Sequence, residues 1–200
     1  MEPTSWVTEG TISSPFARPS GLLGRLAGWA MVRTNRRQEE LLPLIGLRPG
    51  EHVLEVGHGP GALLRLLTDS PAERVYGVDP SPEMRAQASR RTRGRAEIRE
   101  GSAQHTGYPG SRFDCVISVN NVALWPDLSG CVHELSRILR PGGRLAVAWH
   151  GGTTLPAAAR RLILSEDKLA LIEAALRERF PEVRRHELST LTAFVARAGE

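Results

Sequence analysis

The chain is 200 residues long, which is enough to bury a full hydrophobic core but rarely enough for two domains. Its 40% hydrophobic and 24% charged residues, with 20 glycines and 14 prolines, are ordinary for a globular protein and exclude a disordered or fibrous chain. The net charge of +4 is modest, and Lys168 is the only lysine among the 26 basic residues. Composition alone therefore does not favour nucleic acid as a partner.

Cysteine spacing and hydropathy exclude further classes. Cys115 and Cys131 have neither the spacing of metal ligands nor the number of a disulfide framework, so we expect buried thiols and no metal centre. No window reaches the roughly 18 apolar residues of a membrane span. The N-terminus carries Glu2 and Glu9 without an apolar segment, which argues against a secretory signal and predicts a cytoplasmic protein.

The first 47 residues carry two kinds of pattern. Residues 1–20 are polar and contain three prolines, which predicts an arm that becomes ordered by lying over another part of the chain. Between residues 21 and 47, apolar residues at helical spacing predict two amphipathic pieces. Their apolar faces consist of Leu22, Leu26, Trp29 and Ala30 in the first piece, and Leu41, Leu42 and Ile45 in the second.

From residue 52 onward, short apolar runs alternate with longer helical segments. The runs are short enough for buried strands and cover residues 52–56, 75–78, 96–100, 115–119 and 145–149. Helical spacing and capping signals predict helices over residues 60–67, 81–93 and 128–139. The last of these precedes the breaker Pro141-Gly142-Gly143. The tail predicts a helix at 166–180 and strands at 183–188 and 192–198.

This alternation of strand and helix predicts parallel strands joined by right-handed crossovers, with helices on both faces of the sheet. The last two strands are separated by only three residues, too few for a crossover, so they are expected to form an antiparallel hairpin. The sequence therefore predicts a doubly wound α/β domain with a mostly parallel, seven-stranded sheet and a C-terminal antiparallel hairpin.

Polar residues follow the predicted strands, at the edge where an open α/β sheet binds its ligands. The first strand leads from Glu55 into the glycine loop 57–61, and the second ends at Asp79. The next three strands end at Gly101-Ser102, Asn120-Asn121 and His150. Glycines let the backbone approach a ligand closely and leave its N–H groups bare. The sequence therefore predicts a ligand site at this edge.

The glycine loop also matches a dinucleotide fingerprint. Gly57, Gly59 and Ala62 have its spacing, and Asp79 follows about 20 residues later, as a ribose-binding acid should. Glu55, however, would bring a negative charge close to the pyrophosphate of NAD, which is electrostatically costly. A nucleoside with a cationic tail fits the same residues without this conflict.

Five segments, in this order and spacing, resemble the class I S-adenosylmethionine-dependent methyltransferases. They are VLEVGHGPGA (53–62), VYGVDPSPEM (75–84), EGSA (100–103), FDCVISVNNVALWPD (113–127) and LRPGGRLAVAW (139–149). The likeness runs from about residue 40 to residue 198. It implies a Rossmann-like methyltransferase domain at residues 36–200, with S-adenosyl-L-methionine as cofactor and S-adenosyl-L-homocysteine as product.

The resemblance also implies roles for the polar part of the site. Glu55 and the three glycines Gly57, Gly59 and Gly61 match the loop that holds the methionine part of the cofactor. Asp79 matches the acid that bonds both ribose hydroxyls, a task that suits two acceptor oxygens.

Further roles concern the adenine and the acceptor. Pro80 and Met84 fall where the family packs apolar side chains near adenine, and Ala103 where it lines the other side. Ser102 is a departure, because the family usually has aspartate there for the adenine amino group. Asn120 matches a position beside the methionine tail and the substrate.

Three residues and one cluster each have two interpretations. His150 is a candidate proton acceptor or a surface residue at a turn, and His58 either touches substrate or points to solvent. Trp125 either covers the pocket as a lid or packs the loop after the fourth strand. The arginine cluster at residues 90–95 is predicted to be a solvated helix end rather than an RNA-binding patch.

The resemblance predicts an enzyme that transfers a methyl group to a small-molecule acceptor by in-line displacement, which asks mainly for alignment. Residues 1–35 are expected to form an N-terminal arm and helix that act as a lid, because only residues 151–164 separate the fifth strand from the next helix. Two alternatives stay open: a cofactor-binding protein without methyl transfer, and an RNA methyltransferase. A monomer or a homodimer is expected.

Overall fold

A computed structural model describes residues 4–7, 10–11, 38–154 and 157–200. The first predicted amphipathic piece, at residues 22–30, lies outside the described residues. The described helices are α1 (Leu41–Ile45), α2 (Ala62–Leu67), α3 (Pro82–Thr92), α4 (Leu128–Arg137) and α5 (Glu166–Arg177). The strands are β1 (Thr4–Ser5), β2 (Gly10–Thr11), β3 (His52–Val56), β4 (Arg74–Val78), β5 (Glu97–Arg99), β6 (Phe113–Val119), β7 (Leu139–His150), β8 (Glu182–Glu187) and β9 (Leu191–Arg197).

Seven of these strands form one sheet in the order β5-β4-β3-β6-β7-β9-β8. Pairing is parallel from β5 to β7, and β9 is antiparallel to both β7 and β8. The strand order reverses between β3 and β6, which is where a doubly wound sheet opens a crevice for its ligand. The predicted doubly wound α/β fold with a C-terminal antiparallel hairpin is confirmed.

Side-chain alternation along the strands fills two hydrophobic layers. Leu54 and Val56 of β3 point into the layer that contains α4 and α5, whereas Val53 points into the layer under α1 and α2. All three side chains are buried. Because both faces of the sheet are covered, only its edges and the connecting loops present the backbone to a ligand.

Two of the predicted helix starts are confirmed by their caps, whereas the helix predicted from residue 60 begins at Ala62. The Ser81 hydroxyl accepts a hydrogen bond from the Met84 N–H at 3.3 Å, and the Asp127 carboxylate accepts one from the Gly130 N–H at 2.8 Å. Both caps satisfy N–H groups that the first helical turn leaves unpaired.

β7 begins earlier than predicted. The sequence Pro141-Gly142-Gly143 was expected to separate helix from strand, but it forms an irregularity inside β7, where the register against β6 shifts between Phe113 and Cys115. Gly142 has a φ of +71°, and its N–H bonds to the carbonyl of Gly199. The extra residues bulge out of the ladder, so that Leu139 still pairs with the start of β6.

One ion pair and one set of hydrogen bonds to a carboxylate hold the segment that precedes β3. Arg144 of β7 is buried and donates to the carbonyls of Ile45 and Gly46 and, through two nitrogens, to the Glu51 carboxylate at 2.8 and 2.7 Å. At the opposite edge of the sheet, Glu40 accepts four hydrogen bonds from the turn between β8 and β9. Within the described ranges, no helix combines the length and apolar character that crossing a membrane requires.

Candidate functional site

The loop between β3 and α2 owes its shape to three glycines. Gly57, Gly59 and Gly61 have φ values of +70°, +53° and +79°, a region that other residues rarely adopt. A Cβ at Gly57 would lie 1.8 Å from the Asn121 amide nitrogen, and one at Gly61 would lie 2.7 Å from the Ala88 Cβ. At Gly59 no described atom lies within 4 Å of the Cβ position, so this glycine faces open space.

Glu55 lies beneath this loop, and few hydrogen bonds stabilise its charged form. Its side chain is 3% exposed, its Oε2 has no hydrogen-bond partner among the described residues, and the N–H of Leu64 in α2 donates to its carboxyl group. Burial, and then repulsion from the Asp79 carboxylate, raise the pKa of Glu55 well above its ordinary value of 4.5. The anion at this position therefore needs a positive partner.

Asp79, at the end of β4, is buried but well satisfied. One carboxylate oxygen accepts a hydrogen bond from the Gly59 N–H, and the other accepts one from the Ser81 N–H, both at 2.9 Å. Its carbonyl accepts a further bond from Arg85, which also pairs with Glu100. A carboxylate has about four acceptor positions, so both oxygens retain capacity for a ligand with two hydroxyl donors.

His58 turns its ring inward, beneath the glycine loop. The ring is 4% exposed and lies so close to Gly77 of β4 that a Cβ there would be 2.8 Å from the His58 Cδ2. Its Nδ1 donates to the Gly59 carbonyl at 2.7 Å, and its Nε2 has no partner among the described residues. Burial lowers the pKa of His58 below 6.5 despite the nearby Asp79 charge. The solvent-pointing alternative is wrong, and contact with an acceptor stays a prediction.

The residues predicted to surround adenine lie around the end of β4 and the loop after β5. Met84 and Ala103 are buried, whereas Pro80 is exposed. Ser102 forms a local turn, because its hydroxyl accepts from the His105 N–H and its own N–H donates to the His105 carbonyl. The adenine contacts of all four residues stay predictions.

Two asparagines follow β6, and the sequence analysis singled out only the first for a role. Asn120 has a φ of +56° and donates its N–H to the Ala148 carbonyl of β7. Asn121 donates its side-chain amide to the carbonyls of Val56 and Gly57 at 2.6 and 3.3 Å. Both are recognisable in the sequence as polar residues at a strand end, but the sequence does not indicate which side chain reaches the glycine loop.

Trp125 is 4% exposed and belongs to the hydrophobic core, which favours the packing interpretation over the lid. Its indole donates to Asn121 at 2.8 Å. The carbonyls of the same loop receive the N-terminal segment, since the Ser5 hydroxyl donates to Ala123 and the Trp6 indole donates to Val122. This part of the predicted N-terminal lid therefore lies against the loop that follows β6.

His150 ends β7 at the same edge of the sheet. It is partly buried beside Trp149, with the two rings 5.4 Å apart, and burial lowers its pKa below 6.5. A role as proton acceptor stays a prediction. The arginine cluster at residues 90–95 lies at the C-terminus of α3 and the start of β5, away from this edge, and Arg95 pairs with Asp69.

The chemistry and positions of these site residues fit S-adenosylmethionine. The buried Oε2 of Glu55 is an acceptor that suits a cationic group, Asp79 offers two oxygens to two hydroxyls, and no described atom would obstruct a ligand at the Cβ position of Gly59. A pyrophosphate in the same loop would repel an ionised Glu55, whereas a cation would attract it. The chemistry of the donor set thus favours a positively charged nucleoside ligand.

Comparisons with known proteins agree with this geometry. Residues 54–147 match the family model described as "Methyltransferase domain". The chain is 32% identical over 125 residues to the uncharacterized methyltransferase YdaC of Bacillus subtilis, covering 61% of this chain and 69% of YdaC. It is 34% identical over 113 residues to the nocamycin O-methyltransferase of Saccharothrix syringae, where the match covers 54% of this chain but only 40% of the relative.

A solved structure shares the fold. A SAM dependent methyltransferase from Aquifex aeolicus superimposes with a TM-score of 0.68 at 21% identity, covering 86% of this chain and 96% of that one. The strand order, the glycine loop with its two acids, and the likeness to YdaC together show that this chain belongs to the class I S-adenosylmethionine-dependent methyltransferases.

Proposed function

We propose that this protein transfers a methyl group from S-adenosylmethionine to a small-molecule acceptor. The observation that carries the proposal is the buried Glu55 carboxyl, which has one oxygen without a partner among the described residues and lies near a second buried acid, Asp79. A cationic methyl donor offsets the cost of burying this anion, whereas a phosphate would increase it.

The chain's own residues then act mainly by alignment. When bound, the cofactor supplies a methyl group that is already activated on a positively charged sulfur. The glycine loop fixes one end of the ligand and Asp79 fixes its ribose, so the methyl group is held in one place. Such positioning contributes as much as about 7 to 11 kcal/mol to lowering a barrier.

Support for a small-molecule acceptor comes from the relatives and from the N-terminus. The name of one relative, nocamycin O-methyltransferase, indicates methyl transfer to an oxygen of nocamycin. Residues 1–35 would act as the lid over the acceptor, and the contacts of Ser5 and Trp6 with the loop after β6 support this role.

His150 is the residue we assign to proton removal when the acceptor loses a proton. Because burial keeps its pKa below 6.5, its ring is neutral at pH 7 and able to accept a proton. His58 is the second candidate, although its ring lies beneath the loop.

The test is a transfer assay with methyl-labelled S-adenosylmethionine on fractionated metabolite extracts and on total RNA, with Asp79→Ala as the inactive reference. We expect label in a low-molecular-weight product that the variant does not form. Label in RNA would assign the enzyme to the RNA methyltransferases. Saturable cofactor binding without any labelled product would instead indicate a binding protein without transfer activity.

A further inference from the structure

The nitrogen and the oxygen of the Asn121 side-chain amide bond to different parts of the structure. Its nitrogen donates to the carbonyls of Val56 and Gly57, at the start of the glycine loop. Its oxygen accepts from the Ser118 hydroxyl at 2.5 Å and from the Trp125 indole at 2.8 Å. One planar amide therefore fixes the distance between the glycine loop and the loop that follows β6.

The glycine loop is shaped to receive this amide. A Cβ at Gly57 would lie 1.8 Å from the Asn121 nitrogen and 2.8 Å from its side-chain carbon, so the asparagine occupies the space that any other residue at position 57 would need. The Gly57 N–H is also fixed, because it donates to the Val78 carbonyl at 2.8 Å. A shift of Gly57 must consequently move the Asn121 side chain or break its hydrogen bonds.

The other end of this connection receives the N-terminal segment. The Trp6 indole donates to the Val122 carbonyl at 2.7 Å, and the Trp6 N–H donates to the Trp125 carbonyl at 3.3 Å. The Ser5 hydroxyl donates to the Ala123 carbonyl at 2.6 Å. The Lys168 amine lies 5.5 Å from the centre of the Trp6 ring and adds a cation–π contact to these hydrogen bonds.

We infer that Asn121 is a positioning residue that couples cofactor binding at the glycine loop to docking of the N-terminal segment at Ser5 and Trp6. The inference rests on the proposed function, since it concerns the same cofactor loop. Coupling between two sites is reciprocal, so a ligand that orders Gly57 must favour docking of Trp6, and docking of Trp6 must raise affinity for that ligand by the same factor. Docking of Ser5 and Trp6 would thus be strongest when the cofactor is in place.

The central variant is Asn121→Asp, and the probe is S-adenosylhomocysteine. Aspartate keeps the oxygen that accepts from Ser118 and Trp125, but it cannot donate to Val56 and Gly57 and sets a negative charge against their carbonyls. We expect affinity for S-adenosylhomocysteine, measured by titration calorimetry on the full chain, to fall about 10-fold or more. We also expect the ligand to slow hydrogen exchange at the Trp6 amide in the unmodified protein and not in the variant.

A double-mutant cycle separates coupling from ordinary loss of structure. Trp6→Phe removes the indole N–H that donates to the Val122 carbonyl, and should weaken S-adenosylhomocysteine binding by about 3-fold on its own but have no effect in the Asn121→Asp background. Trp149→Phe is the matched control, because its indole donates to the Leu162 carbonyl and not to the loop after β6. This control should leave the affinity unchanged.

The outcomes are distinct. Effects of Trp6→Phe and Asn121→Asp that simply multiply would overturn the inference, as would an Asn121→Asp protein of normal affinity and lowered stability in urea. If that variant does not fold, Trp125→Phe cuts the same connection at the indole and must abolish the effect of ligand on Trp6 exchange. Failure of the unmodified protein to bind S-adenosylhomocysteine would instead overturn the proposed function.

Discussion

At the scale of single residues, two buried acids at the ends of adjacent strands differ in how well their carboxyl groups are hydrogen-bonded. Asp79 has a backbone N–H donor for each carboxylate oxygen, so its charge is compensated without a ligand. Glu55 has the Leu64 N–H as its donor and an oxygen without a partner in the described part of the chain. We interpret Asp79 as a preformed ribose acceptor and Glu55 as a group completed by a cation.

The first prediction concerns Asp79→Asn. An amide has one acceptor oxygen, so its NH₂ must face either the Gly59 or the Ser81 N–H, and one buried donor is left unpaired. We expect S-adenosylhomocysteine affinity to fall about 10-fold or more by titration calorimetry. Glu100→Gln, at an exposed carboxylate of the same region, serves as control and should bind normally. Equal affinities of the two variants would contradict the assignment.

Several site residues were predictable from sequence because of a general rule. The carboxyl ends of parallel strands share one edge, so Glu55 and Asp79 had to meet once the strands were identified. The direction of a side chain within a loop obeys no such rule. His58 points inward and Asn121 reaches the glycine loop because of backbone turns with positive φ at Gly57 and Asn120, and these become visible only in three dimensions.

At the scale of the element, glycines in the glycine loop are required for two different reasons: a positive φ, and a lack of space for a side chain. Gly57→Ala meets both a φ of +70° and the Asn121 side chain, whereas Gly59→Ala meets only a φ of +53°. We expect the first substitution to lower the free energy of unfolding by about 2 to 5 kcal/mol. The second should cost about 1 to 2 kcal/mol. Urea unfolding measures both, and equal costs would show that the Asn121 contact does not constrain position 57.

Element boundaries were predicted best where a local signal acts alone. The predicted strand 52–56 has the same bounds as β3, because a short apolar run that ends at a glycine favours a buried strand of that length. β7 was predicted to start at residue 145 and starts at Leu139. Pro141 lacks an N–H and normally ends a strand, but pairing of Leu139 with Phe113 extends the ladder around the bulge. Such pairing across the sheet is a tertiary effect that local patterns do not contain.

At the scale of the whole molecule, Arg144 connects β7 to the segment that leads into β3. Burial would raise the pKa of Glu51, but hydrogen bonds and the positive charge of Arg144 outweigh it and hold this pKa below 4.5. The pair's contribution to stability is therefore present at neutral pH and is lost as the pH falls through the lowered pKa.

We expect Arg144→Leu to lower the free energy of unfolding by about 3 to 5 kcal/mol at pH 7, because it leaves a largely buried carboxylate without its partner. Arg140→Leu is the matched control, since the Arg140–Asp114 pair is more exposed, and its loss should cost about 1 kcal/mol or less. Urea unfolding at pH 7 and again in acid should show the difference between the variants shrinking as Glu51 is protonated. A difference independent of pH would argue against the ion pair as its cause.

The proposed chemistry depends on Glu55 as the partner of a cation. Burial and the Asp79 charge raise the pKa of Glu55, so the ligand-free carboxyl holds its proton at pH values above 4.5, and a bound cation favours its release. Affinity for S-adenosylmethionine should therefore increase as the pH rises from 4.5 through the raised pKa, with proton release on binding. Glu55→Gln has no proton to release.

Titration calorimetry with S-adenosylmethionine, in buffers of different ionisation enthalpy across this pH range, tests the claim most directly. We predict one saturable site per chain, proton release by the unmodified protein, and weaker binding without proton release by Glu55→Gln. Absence of saturable binding, tighter binding of NAD at the same site, or identical behaviour of Glu55→Gln would contradict it.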